Sequence, residues 1–215
     1  HVHIAGGLVV PLRIAGDIHC TGYLAGGHTT EVHTAAGELG ARLAARAIGG
    51  HGRILVVNHL RNSESTEERA RGFIETIRNL YPAIEIVESP FGESSLRNVR
   101  PLVTDLLIRH PGIDAIFTVN LDTSEGAYRA LLNEGLAGKV RLIAFDSSAL
   151  LLDGVRRGNV EAIIAQNPFE SGRRGVLRAL EMLEDKAGET VTPIPVFVVN
   201  RSNLDEMIRS CTVLK

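Results

Sequence analysis

Two cysteines, Cys20 and Cys211, are the only thiols in this chain. They lie near opposite ends, so they make neither a disulfide framework nor a CxxC metal site. A bridge between them would require the termini to meet in demanding geometry, and two separate thiols are expected. An excess of basic charge is also lacking: the net charge is −2 and the sequence pI about 6.5. That excludes a large basic field that would hold nucleic acid by neutralising phosphates. No apolar run is long enough to span a bilayer. The sequence opens at His1 and carries no signal peptide, as expected of a processed product, a trimmed form or a fragment, and the compartment is left open. It has no G-x-S-x-G elbow, no phosphate loop and no G-x-G-x-x-G run. An enzyme is therefore not expected, nor a cofactor. His1, His3, His19, His28 and His33 crowd near Cys20 and Glu31, but their spacings match no zinc motif, and no metal site is expected.

What is present is a globular composition, 44% hydrophobic and 22% charged over 215 residues. That is enough chain for one or two small domains with a real core. From residue 52 onward, short β-branched runs alternate with amphipathic stretches. Strands are predicted at 53–57, 84–88, 114–119, 140–145, 160–165 and 195–199. Between them run helices, the first with Ala70, Phe73, Ile74, Ile77 and Leu80 on one face and a capping-box spacing at Ser65 and Glu68. The next places Pro101 early, where proline is tolerated only in the first turn. The one after is expected to be capped by Asp122, with Glu125 as its third residue. Shorter and longer helices follow at about 149–157 and 170–184. Before residue 52, a small-residue helix at 33–50 turns Ala36, Leu39, Gly40, Leu43 and Ala47 one way and ends at Gly49 and Gly50. "GLVVPL" is a plausible strand, with loop or extended chain around it. Alternation on this scale implies an α/β fold, a parallel sheet covered by helices on both faces.

In open parallel sheets, ligands bind outside the carboxyl ends of the strands. Those ends carry Asn58, His59 and Arg61; then Pro90 and Phe91; then Asn120 and Asp122; then Asp146, Ser147 and Ser148; then Gln166 and Asn167. Amides and carboxylates hydrogen-bond several hydroxyls in fixed directions, which suits a neutral polyol better than a phosphate. Each has an alternative role. Asp146 could cap the helix after its strand, Asn120 could close a turn, Asp122 reads as a cap, and Gln166 could be a buried structural amide. Arg61 and Glu67 also read as solvated charges.

The run "FTVNLDTSEGAYRALLNEGLAGKVRLIAFDSSALLLDGVRRGNVEAIIAQNPFESG" (117–172) resembles the carboxyl-terminal lobe of type I periplasmic binding proteins, above all ribose-type sugar-binding proteins of ABC transporters. "STEERARGF" (65–73) and "AAGELGARLA" (35–44) are similar to the first helices of that lobe. The same fold forms the effector domain of LacI-type regulators. The resemblance implies a periplasmic binding protein-like fold with one nearly complete lobe and a remnant of the second. Residues 31–166 and 195–215 would form the carboxyl-terminal lobe, and 1–30 and 167–194 the remnant. It also implies that Asn120, Asp146 and Gln166 bind sugar hydroxyls, with Phe91 as the aromatic partner. The partners implied are a small-molecule sugar and the membrane subunits of an ABC transporter, with a periplasmic location. The regulator alternative would place the chain in the cytoplasm.

Two departures from the family stand out. Glu67 occupies a position where the family commonly has a sugar-binding arginine, which reverses the charge and removes every donor. Either the ligand differs from ribose, or Arg61 substitutes from the loop. In addition, the strand–helix units that precede the "GLVVPL" segment in the family, on the order of 90 residues at about 30 per unit, are not in this sequence. Two expectations follow: self-association through a homodimer that covers the incomplete lobe, and weak sugar affinity from this chain alone.

Overall fold

The structure is a computed structural model that describes residues 9–14, 18–23, 29–93, 95–184, 194 and 196–210. Strands β3 (Gly52–Val57), β4 (Ile84–Glu88), β5 (Ala115–Thr118), β6 (Arg141–Phe145), β7 (Ala162–Ala165) and β8 (Phe197–Asn200) form one sheet in the order β4-β3-β5-β6-β7-β8. The first five are parallel, and β8 runs antiparallel to β7. The sheet is thus mostly parallel, with one reversed edge strand. A separate hairpin pairs β1 (Val9–Ile14) with β2 (Ile18–Tyr23). The sequence predicts loop or extended chain where the second of these strands lies; Gly22 inside it weakens the strand signal.

The parallel strands inside the sheet, β3, β5, β6 and β7, are buried on both faces, and their side chains alternate between two cores, while the edge strand β4 is only partly buried. Leu55, Val57, Ile116, Leu142 and Ala144 point into one core, closed by α3 (Leu96–Arg109), α4 (Leu121–Asn133), α5 (Ala149–Arg157) and α7 (Leu204–Ser210). Ile54, Val56, Phe117, Ile143 and Phe145 point into the other, closed by α1 (Thr29–Ala47) and α2 (Glu64–Leu80). The remaining helix, α6 (Pro168–Leu183), buries none of its residues.

Several local expectations are corrected. The buried face of α1 is made of Ala36, Gly37, Gly40, Ala41, Ala44 and Ala45, while Leu39, Leu43 and Ala47 are only half-buried. No capping box forms at Ser65: the N-cap of α2 falls two residues earlier, at Ser63, and Glu68 accepts instead from the Thr34 hydroxyl at 2.7 Å. Leu80 is exposed. Pro101 sits in the second turn of α3, because Ser95 caps that helix upstream of the expected start. The cap of α4 is Asn120 rather than Asp122, which lies in the first turn.

Candidate ligand-binding site

Because β3 to β7 are parallel, their carboxyl ends share one edge. Asp146 leaves β6 there with φ of 62°, a left-handed conformation that aspartate tolerates better than most residues. Its backbone N–H donates to the Ile164 carbonyl at 2.9 Å, tying it to the neighbouring strand. Capping of α5 falls to Ser148, whose hydroxyl accepts from the Leu151 N–H at 3.3 Å. The Asp146 carboxylate is therefore released from that duty. Gln166, at the end of β7, donates from Nε2 to Asp146 Oδ1 at 2.8 Å. Burial pushes the Asp146 carboxyl above its ordinary value. The Arg69 charge, the Gln166 amide and the Leu121 backbone N–H oppose that rise without cancelling it.

Asn120 completes this group from the end of β5. Its Oδ1 accepts from the Thr123 N–H at 3.1 Å and the Thr123 hydroxyl at 2.8 Å. The acceptor side of the amide is thus committed to the helix, and the Nδ2 donor remains for other work. Ser124 locks the first turn of α4 onto the end of β6: its Oγ donates to the Phe145 carbonyl at 2.8 Å and accepts from the Phe145 N–H at 2.9 Å. The edge therefore offers an amide donor from Asn120, a carboxylate acceptor from Asp146 and an amide acceptor from Gln166. A hydroxyl both donates and accepts, and matches such a mixed set.

Arg61, Phe91 and Glu67 form a second group at the ends of β3 and β4. The Arg61 guanidinium lies 4.3 Å from the Phe91 ring centroid. Asn58 sets the height of that loop, donating from Nδ2 to the Ser89 carbonyl at 2.9 Å and the Ser89 hydroxyl at 2.8 Å. Glu67 turns to the loop backbone, where its Oε1 accepts from the Asn62 N–H at 2.8 Å. Asn62 itself has φ of 66°, so Glu67 steadies a turn in the left-handed region next to Arg61.

Sequence reasoning does not assign Arg69 to the site. It is 4% exposed. Its guanidinium stacks 4.0 Å from the Phe145 ring centroid, and Nη1 donates to the Val119 carbonyl at 2.8 Å. Burial pulls its pKa down to about 10 against the pull of Asp146. A signal was available: Arg69 precedes Phe73 and Ile77 at intervals of four, a cation on the apolar stripe of an amphipathic helix. Among the described residues, no three His, Cys, Asp or Glu side chains gather as a metal site. Cys211, His1, His3 and His28, like the side chains of Cys20 and His19, lie outside the described residues.

An open parallel sheet with convergent amides and a carboxylate on its carboxyl edge is the layout of an α/β ligand-binding lobe. Residues 28–187 match the family described as periplasmic binding protein domain, and the chain belongs to that family. It is 24% identical over 173 residues to the ribose import binding protein RbsB of Salmonella typhimurium, covering 80% of this chain and 57% of that protein. Identity to the D-allose-binding periplasmic protein of Escherichia coli is 26% over 163 residues, covering 75% and 51%. An ABC transporter solute binding protein from Agrobacterium vitis, solved with bound D-fucose, matches with TM-score 0.80 and 30% identity over 85% of this chain and 62% of that one. The chain thus spans little more than half the length of the curated relatives it matches.

Proposed function

We propose that this chain contributes the sugar-facing edge of a solute-binding component of an ABC importer, and that its ligand is a small neutral monosaccharide. The carrying observation is the Asn120–Asp146–Gln166 edge, whose free donor and free acceptors are complementary to vicinal hydroxyls. Relatives named for ribose and D-allose, and one solved with D-fucose, support the ligand class. Arg61 stacked on Phe91 supplies a cation and an apolar ring face at the other end of the edge, where Glu67 steadies the Arg61 loop. The chain binds and does not turn over its ligand, and it works in the periplasm beside the transporter's membrane subunits. Residues 1–30 and 167–194 belong to the other lobe in this assignment, and a second copy of the chain would cover the exposed apolar stripe of α6. A panel of pentoses and hexoses followed by thermal shift tests the proposal. A shift with at least one sugar, with the sugar recovered unchanged, supports it; release of a product would replace binding with catalysis.

A further inference from the structure

A buried cation links the two strand ends that carry the site. Helices α1 and α2 touch backbone to backbone at two glycines. A Cβ on Gly37 would lie 2.0 Å from the Arg69 carbonyl oxygen, and one on Gly72 would lie 2.2 Å from that of Thr34. This close approach seats Arg69 under the edge rather than on the surface. Its Nη1 bonds Val119, the residue before Asn120, and its plane covers Phe145, the residue before Asp146. Its Nη2 faces His33 Nδ1 at 3.5 Å, and its buried Nε has no partner among the described residues. The titratable groups around it are His33 from α1, Glu68 from α2, which is paired with Arg71, and Asp146 beyond β6. Among the described residues Arg69 makes no direct ion pair with Asp146, so it does not occupy the carboxylate oxygens, of which Oδ1 accepts from Gln166.

We propose that Arg69 is a positioning residue: it holds the ends of β5 and β6 in register, so that Asn120 and Asp146 face one ligand, and it sets a positive charge beside Asp146 without pairing with it. The ligand half of this statement rests on the proposed function; the electrostatic half does not. Lysine cannot replace it, because an ammonium has no plane to stack on Phe145 while also reaching Val119. The test is NMR of the unliganded chain, following the Asp146 carboxyl carbon through a pH titration together with the backbone amides of Asn120 and Asp146. In Arg69→Met the Asp146 midpoint rises by about one pH unit or more, as expected when a nearby opposite charge is removed. In Arg69→Lys, which keeps the charge and guards against a misfolded methionine variant, the midpoint stays close to the parent's while both amide signals move. An unmoved midpoint in Arg69→Met, or an Arg69→Lys spectrum that overlays the parent's at both residues, overturns the proposal. No sugar enters either readout. A parent chain that binds no sugar therefore sinks the solute-binding proposal and leaves the electrostatic half to be decided by the titration.

Discussion

A carboxylate at the end of a buried strand has to be either a cap or a group kept for something else, and Asp146 is the second kind. Its folded pKa is raised by burial, so the native state binds a proton more tightly than the unfolded chain does. Between its ordinary value of 3.8 and its raised folded value, stability therefore falls as pH rises, because deprotonation is easier in the unfolded chain. Asp146→Asn removes that fall. It should leave the melting temperature at neutral pH no lower than the parent's, while weakening sugar binding by at least about tenfold, the loss of one charged hydrogen bond. A neutral-pH melting point well below the parent's would mean that the carboxylate stabilises the fold. The strand-end position of Asn120, Asp146 and Gln166 is legible in the sequence because each follows an apolar run directly. The division of labour is not. That Asn120 gives its oxygen to α4 while keeping its amide nitrogen depends on where Thr123 folds back, and Arg69 reaches the site only through the tertiary contact of α1 with α2.

At the scale of elements, α1 and α2 cross backbone to backbone at Gly37 and Gly72. Gly37→Ala or Gly72→Ala drives a methyl group into backbone that no rotamer change can relieve. Each should cost about 2 kcal/mol or more, at the upper end for overpacking, read as a lower urea midpoint. The same variants should disturb the Asn120 and Asp146 amides, since Arg69 is carried by α2. A midpoint within experimental error of the parent's would contradict this packing. Most elements are legible from periodicity: α5 falls at 149–157 and β4 at 84–88, as the sequence predicts. Caps are less so, because Ser65 and Asp122 have the right spacing but the chain turns into helix earlier, at Ser63 and Asn120. The reversal of β8 was equally hidden. Its own residues, Phe197 to Asn200, pair as readily in either direction, and the direction is set by how the chain returns.

Across the whole molecule, α6 stands apart. Phe169, Val176, Leu177, Leu180 and Leu183 are exposed along it, whereas every other long helix closes one of the two cores. An apolar stripe of this kind is covered in use, and self-association is the proposal made here. The chain should scatter light with the mass of a dimer at micromolar concentration, and Leu177→Glu with Leu180→Glu should return it to monomer. A monomeric parent would end that proposal without touching the site. With ligand contacts from the Asn120–Asp146–Gln166 edge alone, affinity should be modest, with a Kd on the order of 0.1–1 mM, equivalent to about −4 to −5.5 kcal/mol. The central claim is that the edge formed by Asn120, Asp146 and Gln166 binds monosaccharide hydroxyls. Its most direct test is an NMR titration of the labelled chain with D-ribose, D-allose and D-fucose. Saturable shifts at all three residues with at least one sugar, with the midpoint moved to at least about tenfold higher sugar in Asp146→Asn, are the predicted result; no shift at any of them with any of the three sugars at about a hundred times that Kd would contradict the account.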